Sequence, residues 1–263
     1  MKYNALIDGD VLVYRCGYAG QYNQYILNGA DVFRYKKELD KYIKTNGIKD
    51  YTVDINTVIE PVGFVLNNLK TTLNAIKDRT AFIKCEIFLS GKDNFRNDVA
   101  ITQVYKGNRD KDQRPAWYNE LREYLITYWG AEVVNGCEAD DVLASKQIGM
   151  VPENCEANLI ITIDKDLDQI PGWHYNWVHD NLYFLDDYTA SRNFWIQMLT
   201  GDRTDNIRGI HGVGPKKAEK FLDKFDPCEW ENEVFKLYEM EYSEGKGQEI
   251  FDEHKKLIKI GVP

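Results

Sequence analysis

The sequence predicts an α/β protein: a mostly parallel central sheet flanked by helices, followed by a helical C-terminal part. Three observations predict it. Short apolar runs alternate with segments of helical periodicity through the first 192 residues, whereas the pattern from Asn193 onward is helical alone. Two of the apolar runs, Tyr3–Asp8 and Leu159–Asp164, close on an acid, as strands do when their carboxyl ends face a ligand site. No internal repeat, low-complexity tract or obvious linker interrupts the chain. The expected division is therefore 1–192 as the α/β core and 193–263 as a helical part packed tightly on it, one domain or two closely joined.

Tyr3–Asp8 reads as a central strand. Residues 14–60, rich in Tyr, Asn and Lys with weak periodicity, read as a flexible or insertion-like segment. Pro61–Asp78 places Val62, Val65, Leu66, Leu69, Leu73 and Ile76 at helical spacing, with proline at the start. Cys85–Leu89 is a strand, Trp117–Trp129 a helix with mostly core aromatics, Ala131–Val134 a strand and Asp140–Ile148 a helix. Leu159–Ile163 is the cleanest buried strand. Trp173–Val178 and Leu182–Leu185 form a hairpin around His179-Asp180-Asn181, and helices follow over 194–200, 215–224, 231–240 and 247–258.

Composition is that of an ordinary globular protein, 43% hydrophobic and 29% charged. No apolar run has the length of a membrane span, and Met1-Lys2-Tyr3-Asn4 is not read as a signal peptide. Five cysteines without a Cys-x-x-Cys pair are expected to be free thiols in a reducing cytoplasm. The net charge of −9 argues neither for nor against a nucleic-acid partner, because eight clustered acids account for nearly all of it. The cations are grouped: Lys92, Arg96, Lys106, Arg109, Lys111 and Arg114 in one stretch, Arg208, Lys216, Lys217, Lys220 and Lys224 in another.

Those eight acids are Asp8; Glu138, Asp140 and Asp141; Asp164 and Asp166; and Asp202 and Asp205. Carboxylates gathered from so many points oppose each other's ionisation, so their convergence implies a cation. An extended chain would keep Asp164 and Asp166 on one side. Adjacent acids on a helix diverge, so Glu138 must lie in the turn before the helix of Asp140 and Asp141. The i, i+3 spacing of Asp202 and Asp205 suits one helix face, and Asp168 is read as a solvent-facing or capping residue. All-oxygen donors suit Mg²⁺ or Mn²⁺, and paired ions about 3.5–4 Å apart activate water on phosphodiesters.

Two elements suit phosphate. Gly209-Ile210-His211-Gly212-Val213-Gly214-Pro215-Lys216-Lys217-Ala218 offers a glycine turn, a helix start at Pro215 and two lysines. Ile210, Val213, Ala218, Phe221 and Leu222 are its expected buried positions, as in a helix-hairpin-helix. Tyr105-Lys106-Gly107-Asn108-Arg109 adds an aromatic face for stacking and two cations.

With these residues in place the chain resembles the structure-specific 5′-nuclease family: flap endonucleases, the 5′-nuclease domains of bacterial DNA polymerases and bacteriophage 5′→3′ exonucleases. The likeness runs from Asp8 to about Leu222. Glu-Ala-Asp-Asp followed by Gly-Asp-x-x-Asp-Asn-Ile-x-Gly is its most specific part. It implies a PIN/5′-nuclease-like sheet, a short arch or clamp around 105–130, and a helix-three-turn-helix. All eight acids match the family's metal-binding residues, for two or more Mg²⁺ or Mn²⁺ ions. Lys106 and Arg109 match its active-site cations, and Tyr105 an aromatic that contacts substrate. Gly209, Gly212, Gly214, Lys216 and Lys217 match the turn that binds duplex backbone and K⁺. The implied activity is hydrolysis near 5′ ends of duplex, nicked or flapped DNA and of RNA primers, leaving 5′-phosphate and 3′-hydroxyl. The implied setting is a monomer acting with replication proteins, in the host cytoplasm if phage-encoded, and not at a membrane.

Two departures stand out. The family has an aspartate after its second core strand, where this chain reads Phe88-Leu89-Ser90-Gly91-Lys92-Asp93; either Asp93 substitutes from a shifted position or Ser90 leaves a ligand missing. The stretch between Arg109 and Glu138 is also short for a threading arch, which implies a low clamp and exonucleolytic trimming. A haloacid-dehalogenase-type phosphatase is the competing reading, with Asp8 as nucleophile, Asp10 as general acid, Ser90 as second motif and Gly201–Asp205 as the final acidic motif. It gives Glu138–Asp141 and the Gly209–Ala218 turn no role. A non-catalytic DNA-structure-binding relative is the third reading, set against by the retained acids.

Overall fold

The computed structural model describes residues 1–109, 114–242 and 245–261. In chain order the elements are β1 (Tyr3–Asp8), α1 (Gly9–Ala19), β2 (Gln21–Leu27), β3 (Asp31–Phe33), α2 (Lys36–Asn46), β4 (Val53–Ile59), α3 (Val62–Thr80), β5 (Lys84–Ser90), α4 (Arg96–Val99), α5 (Tyr118–Trp129), β6 (Glu132–Val134), α6 (Ala139–Gln147), β7 (Ala157–Ile161), a 3₁₀ turn (Lys165–Gln169), β8 (Gly172–Asn176), β9 (Asn181–Leu185), α7 (Asp187–Thr200), β10 (Gly201–Asp202), β11 (Ile207–Arg208), α8 (Pro215–Leu222), α9 (Trp230–Glu241) and α10 (Lys246–Ile258). Two compact units result: Met1–Val11 with Ile76–Gln113 and Leu125–Pro263, and Leu12–Ala75 with Arg114–Tyr124.

The first unit holds a six-stranded sheet in the order β6-β5-β1-β7-β8-β9, parallel except for β9. All six residues of β1 are buried, as a central strand flanked by β5 and β7 requires. Leu6, Phe88 and Ile160 from three strands pack with Leu143 and Ala144 of α6. Each of the larger apolar side chains among these stabilises the fold by about 1.5–3 kcal/mol. A second core joins Trp195, Met198 and Leu199 of α7 to Ala218 and Leu222 of α8, Trp230 and Tyr238 of α9 and Phe251 of α10. Trp230 is 1% exposed and donates its indole N–H to Leu222 O at 3.0 Å, so its burial leaves no polar atom unsatisfied.

In the second unit, residues expected to be flexible form an ordered antiparallel sheet, β3-β2-β4, with α2. β4 is largely exposed and β2 half-buried along nearly its whole length, which explains why no periodicity of burial announced them. Among the expected core aromatics of 117–129, Tyr128 is 73% exposed; Leu121 and Leu125 are the buried residues of α5. No helix among the described residues is long and apolar enough to cross a membrane.

Candidate active site

Four adjacent strands of the six-stranded sheet bring their carboxyl ends together. Asp8 ends β1, Ser90 ends β5, Glu138 follows β6, and Asp164 follows β7. The turn from β1 into α1 is pressed on β5: a Cβ on Gly9 would lie 2.6 Å from Phe88 O. Glu138 is the N-cap of α6 in extended conformation (φ −87°, ψ 159°), so it does sit in the turn before the helix. Asp164 is the N-cap of the 3₁₀ turn, its Oδ1 accepting the Asp166 N–H at 2.9 Å. The expected extended Asp164–Asp166 segment is thus replaced by a capped turn, because an aspartate there satisfies the first helical N–H. Asp168 accepts the Tyr183 hydroxyl at 2.7 Å and lines the site.

Asp202 and Asp205 do not share a helix face. They occupy a tight hairpin between β10 and β11, in which Asp202 Oδ1 accepts the N–H groups of Thr204 (2.7 Å) and Asp205 (3.2 Å). Gly201 and Gly209 are dictated by this hairpin. Gly201 has φ +69°, and a Cβ on Gly209 would lie 2.2 Å from the Thr200 carbonyl carbon. The close approach makes Gly209 a packing residue; Gly212 and Gly214 are exposed.

The segment carrying Tyr105, Lys106 and Arg109 is laced to that hairpin. Lys106 N–H donates to Asp205 O at 3.0 Å, Asn206 Nδ2 to Val104 O at 3.0 Å, and Arg109 Nε to Thr204 O at 3.2 Å. Lys106 adopts φ +54°, a conformation costing a lysine roughly 1–2 kcal/mol, held here from both ends. Its ammonium contacts Glu138 Oε1 and lies 3.7 Å from Asp205 Oδ2, while Arg109 Nη2 pairs with Asp205 Oδ1 at 2.6 Å. The Tyr105 hydroxyl is shared between Glu138 Oε2 (3.0 Å) and Asp205 Oδ2 (2.7 Å). With 6% exposure the Tyr105 ring is core, which corrects the expected stacking face: the residue ties two acids together through its oxygen.

Arg96 and Asp141 are buried together. Arg96, from the first basic stretch, is 2% exposed, and Asp141 is fully buried. They form a bidentate pair at 2.7 and 2.8 Å. Arg96 also donates to Leu257 O and Lys259 O, both at 2.9 Å, and Asp141 accepts the N–H groups of Glu138 and Gly261, both at 3.0 Å. Although burial disfavours its charge, Asp141 holds the Arg96 guanidinium firmly protonated. Both Asp141 oxygens are thus engaged by Arg96 and by two backbone N–H groups in this structure. Lys111, from the same stretch, lies outside the described residues.

A cavity of about 660 Å³ is lined by Glu138, Asp140, Asp164, Asp166, Asp202 and Asp205, with Lys106 and Arg109 on its wall and Gly214 and Pro215 at the start of α8. Asp8 lies among these acids electrostatically but is 2% exposed, its oxygens accepting Val11 N–H (3.1 Å) and Thr162 Oγ1–H (2.9 Å). Such a carboxylate is no exposed nucleophile, which counts against the phosphatase reading. Burial, then the charge of Asp10, push its carboxyl up to about 7. Burial and the charges of Asp164 and Asp202 push Asp166 up to about 7. Asp140 is held well above the carboxylate range by burial, then Asp8 and Asp164. Burial raises Asp205, against the pull of Lys106 and Tyr105.

Among the described residues no three His, Cys, Asp or Glu side chains form a ready-made metal cage. Lys106 instead bridges Glu138 and Asp205. The donor set is nonetheless all oxygen and short of positive charge, which fits hard divalent cations held by Asp8, Glu138, Asp140, Asp164, Asp166, Asp202 and Asp205. Gln197 completes the site, its amide donating to Asp166 (3.1 Å) and Asp202 (3.3 Å). Neither Gln197, Thr162 nor the buried role of Arg96 had a local sequence signal.

No protein-family model matches the chain. It is 31% identical over 182 residues to the thermostable DNA polymerase I of Thermus aquaticus, an alignment covering 65% of this chain and 21% of the polymerase. It is 29% identical over 188 residues to a 5′-3′ exonuclease of Mycoplasmopsis pulmonis (63% and 61% covered), and 30% identical over 114 residues to the flap endonuclease Xni of Shewanella baltica (40% and 43% covered). The chain thus spans less than two thirds of each of these curated relatives, and about a fifth of the polymerase. Its fold is similar to that of the bacteriophage T5 5′-exonuclease (TM-score 0.58, 15% identity, 98% of this chain and 85% of that one). It is similar also to the T5 D15 flap endonuclease solved in a pseudo-enzyme–product complex with DNA and metal ions (TM-score 0.59, 17% identity, 98% and 86%). The chain is thus similar in sequence to proteins named 5′-3′ exonuclease, flap endonuclease and DNA polymerase I, and shares the fold of the T5 5′-exonuclease.

Proposed function

We propose that the chain is a divalent-metal-dependent 5′→3′ exonuclease and flap endonuclease that hydrolyses phosphodiesters near 5′ ends of duplex, nicked or flapped DNA. The observation that carries this reading is a cavity in which seven carboxylates, among them Glu138, Asp140 and Asp166, meet Lys106, Arg109 and the start of a helix. Mg²⁺ or Mn²⁺ ions, two or more, held by the seven acids named above would supply activated water and neutralise charge on the leaving oxygen.

The remaining work belongs to the chain. The exposed Gly212–Lys217 segment meets duplex backbone: N–H groups at the start of α8 face phosphate, and Lys216 and Lys217 add charge without reading sequence. Arg109 and Lys106 hold the phosphate near the 5′ end. Lys106, now on Glu138, opposes the charge that develops there. Tyr105 and Gln197 keep the acids in register. In this scheme residues 1–192 carry most of the acids and 193–263 hold the duplex. The products are a 5′-phosphate and a 3′-hydroxyl, RNA primers are also substrates, K⁺ sits at the Gly209–Lys217 turn, and the protein acts as a cytoplasmic monomer alongside replication proteins.

A 5′-labelled nicked duplex and its flapped counterpart, each with Mg²⁺ or EDTA, test the reading. Mg²⁺-dependent release of short 5′ fragments is expected, their length separating exonuclease from flap cutting; no release would overturn it.

A further inference from the structure

The chain enters the Tyr105–Arg109 segment through residues 101–104, all of them exposed, Ile101 at 85% and Val104 at 74%. Apolar burial therefore does not hold this stretch, and exposed irregular backbone is ordinarily the loosest part of a fold. On its far side it is tied to the β10–β11 hairpin, Lys106 N–H donating to Asp205 O and Asn206 Nδ2 to Val104 O. On its near side it hangs on one atom. Glu253 Oε1, from α10, accepts the Ile101 N–H at 2.8 Å, the Thr102 N–H at 2.9 Å and the Thr102 hydroxyl at 3.0 Å. Glu253 is 6% exposed, and a carboxylate withdrawn from water needs strong partners. It finds them in a stretch whose side chains add nothing to the core. Glu253 lies four residues before Leu257, so the two share one face of α10. Leu257 lines the cavity, and its carbonyl accepts from Arg96. One helix face thus supports both the cavity wall and the entry to the Lys106 segment.

We infer that Glu253 is a positioning residue of this site: by fixing residues 101 and 102 it sets where the Lys106 ammonium stands between Glu138 and Asp205. Lys106 holds φ +54°, a conformation that a lysine leaves when the chain around it is released. Without the Glu253 anchor the turn relaxes, and the ammonium moves off the two acids it now faces. Glu253 itself does not line the cavity, so it acts through Lys106 and not on the phosphate. The inference rests on the nuclease reading and adds to it a residue on a different helix.

The test is kcat and KM on a 5′-labelled nicked duplex with Mg²⁺, for the full chain, Glu253→Ala, Lys106→Ala and the double variant. Amide hydrogen exchange over residues 101–109 is followed alongside, without DNA. Glu253→Ala should lower kcat about 10- to 100-fold with KM little changed, the loss that a displacement of about 1 Å causes. In the Lys106→Ala background the same substitution should cost less than about threefold, because the group it positions is gone. A merely structural residue would cost the same in both backgrounds. Glu253→Gln, whose amide oxygen still accepts these donors, should recover most of the turnover. The amides of Ile101, Thr102 and Lys106 should exchange faster in Glu253→Ala. Wild-type kcat in Glu253→Ala, equal losses in the two backgrounds, or unchanged exchange at Lys106 would each overturn the inference and leave the nuclease intact. A wild type that cleaves nothing would overturn the nuclease reading together with it. If Glu253→Ala does not fold, Thr102→Val decides, since it removes one donor from an exposed residue. A loss of about threefold that vanishes in the Lys106→Ala background supports the inference, and an unchanged kcat removes it.

Discussion

On one side of the cavity the acids face one another; on the other, each has a partner of its own. Asp140 and Asp166 are raised by burial and by neighbouring carboxylates, Asp8 and Asp164 for the one, Asp164 and Asp202 for the other. Asp141, next to Asp140 in sequence, has Arg96, while Glu138 and Asp205 share Lys106 and Tyr105 and Asp205 adds Arg109. The first side is short of positive charge and suits cations from solution. The second is assembled in advance, Lys106, Arg109 and Arg96 tied down by hydrogen bonds to or from the backbone. One residue of offset on α6 separates the two, because side chains 100° apart on a helix point to different surroundings.

The largest effect expected from breaking this contrast is on the charge-deficient side. Asp140→Ala or Asp166→Ala should lower cleavage about 10³-fold or more while duplex binding in Ca²⁺ persists. Surviving cleavage would remove that residue from the proposed set. On the self-paired side, Arg96→Met should destabilise the fold by about 3–5 kcal/mol in urea titrations, since Asp141 is left buried and unpaired. Arg96→Met combined with Asp141→Leu should recover much of that loss; no recovery would mean that the pair is not the cause. Lys106→Ala should reduce kcat by about 10²–10³ with duplex affinity unchanged. Equal losses in both would make Lys106 a binding residue alone.

Protons offer a gentler probe of the same contrast. Asp8 and Asp166 are pushed up to about 7, against an unfolded value near 4, so the native state binds these protons more tightly. That contribution is complete below about pH 4 and is lost as pH rises toward 7. In EDTA the urea midpoint should therefore fall between about pH 5 and pH 8, and Asp8→Asn should flatten the decline. A midpoint that rises over this range would contradict the charge-deficient side. The smallest effect is Tyr105→Phe, expected to cost about 1–2 kcal/mol through the hydroxyl shared by Glu138 and Asp205; unchanged stability would show that the hydroxyl does not hold the two acids.

Much of this was legible in the chain. Apolar runs closed by acids placed Asp8 and Asp164 at strand ends, and the adjacency of Asp140 and Asp141 already required Glu138 to lie before the helix. The sheet of residues 21–59 was not legible, because strands whose residues do not alternate between buried and exposed carry no two-residue period. Nor were the hairpin of Asp202 and Asp205 or the capped turn after Asp164, where aspartate side chains satisfy backbone N–H groups and override the spacing argument.

The sequence by itself determined which residue types meet: oxygen donors at strand ends, cations in one short segment, glycines where Gly201 and Gly209 must pass within van der Waals distance. Only the tertiary structure decided how they divide the work. Whether an acid faces other acids or a guanidinium depends on chain segments distant in sequence, such as Arg96 beside Asp141 and the α10 end that brings Leu257, Lys259 and Gly261 to that pair. Local propensity carries no record of such partners, because desolvation and pairing are properties of the packed interior.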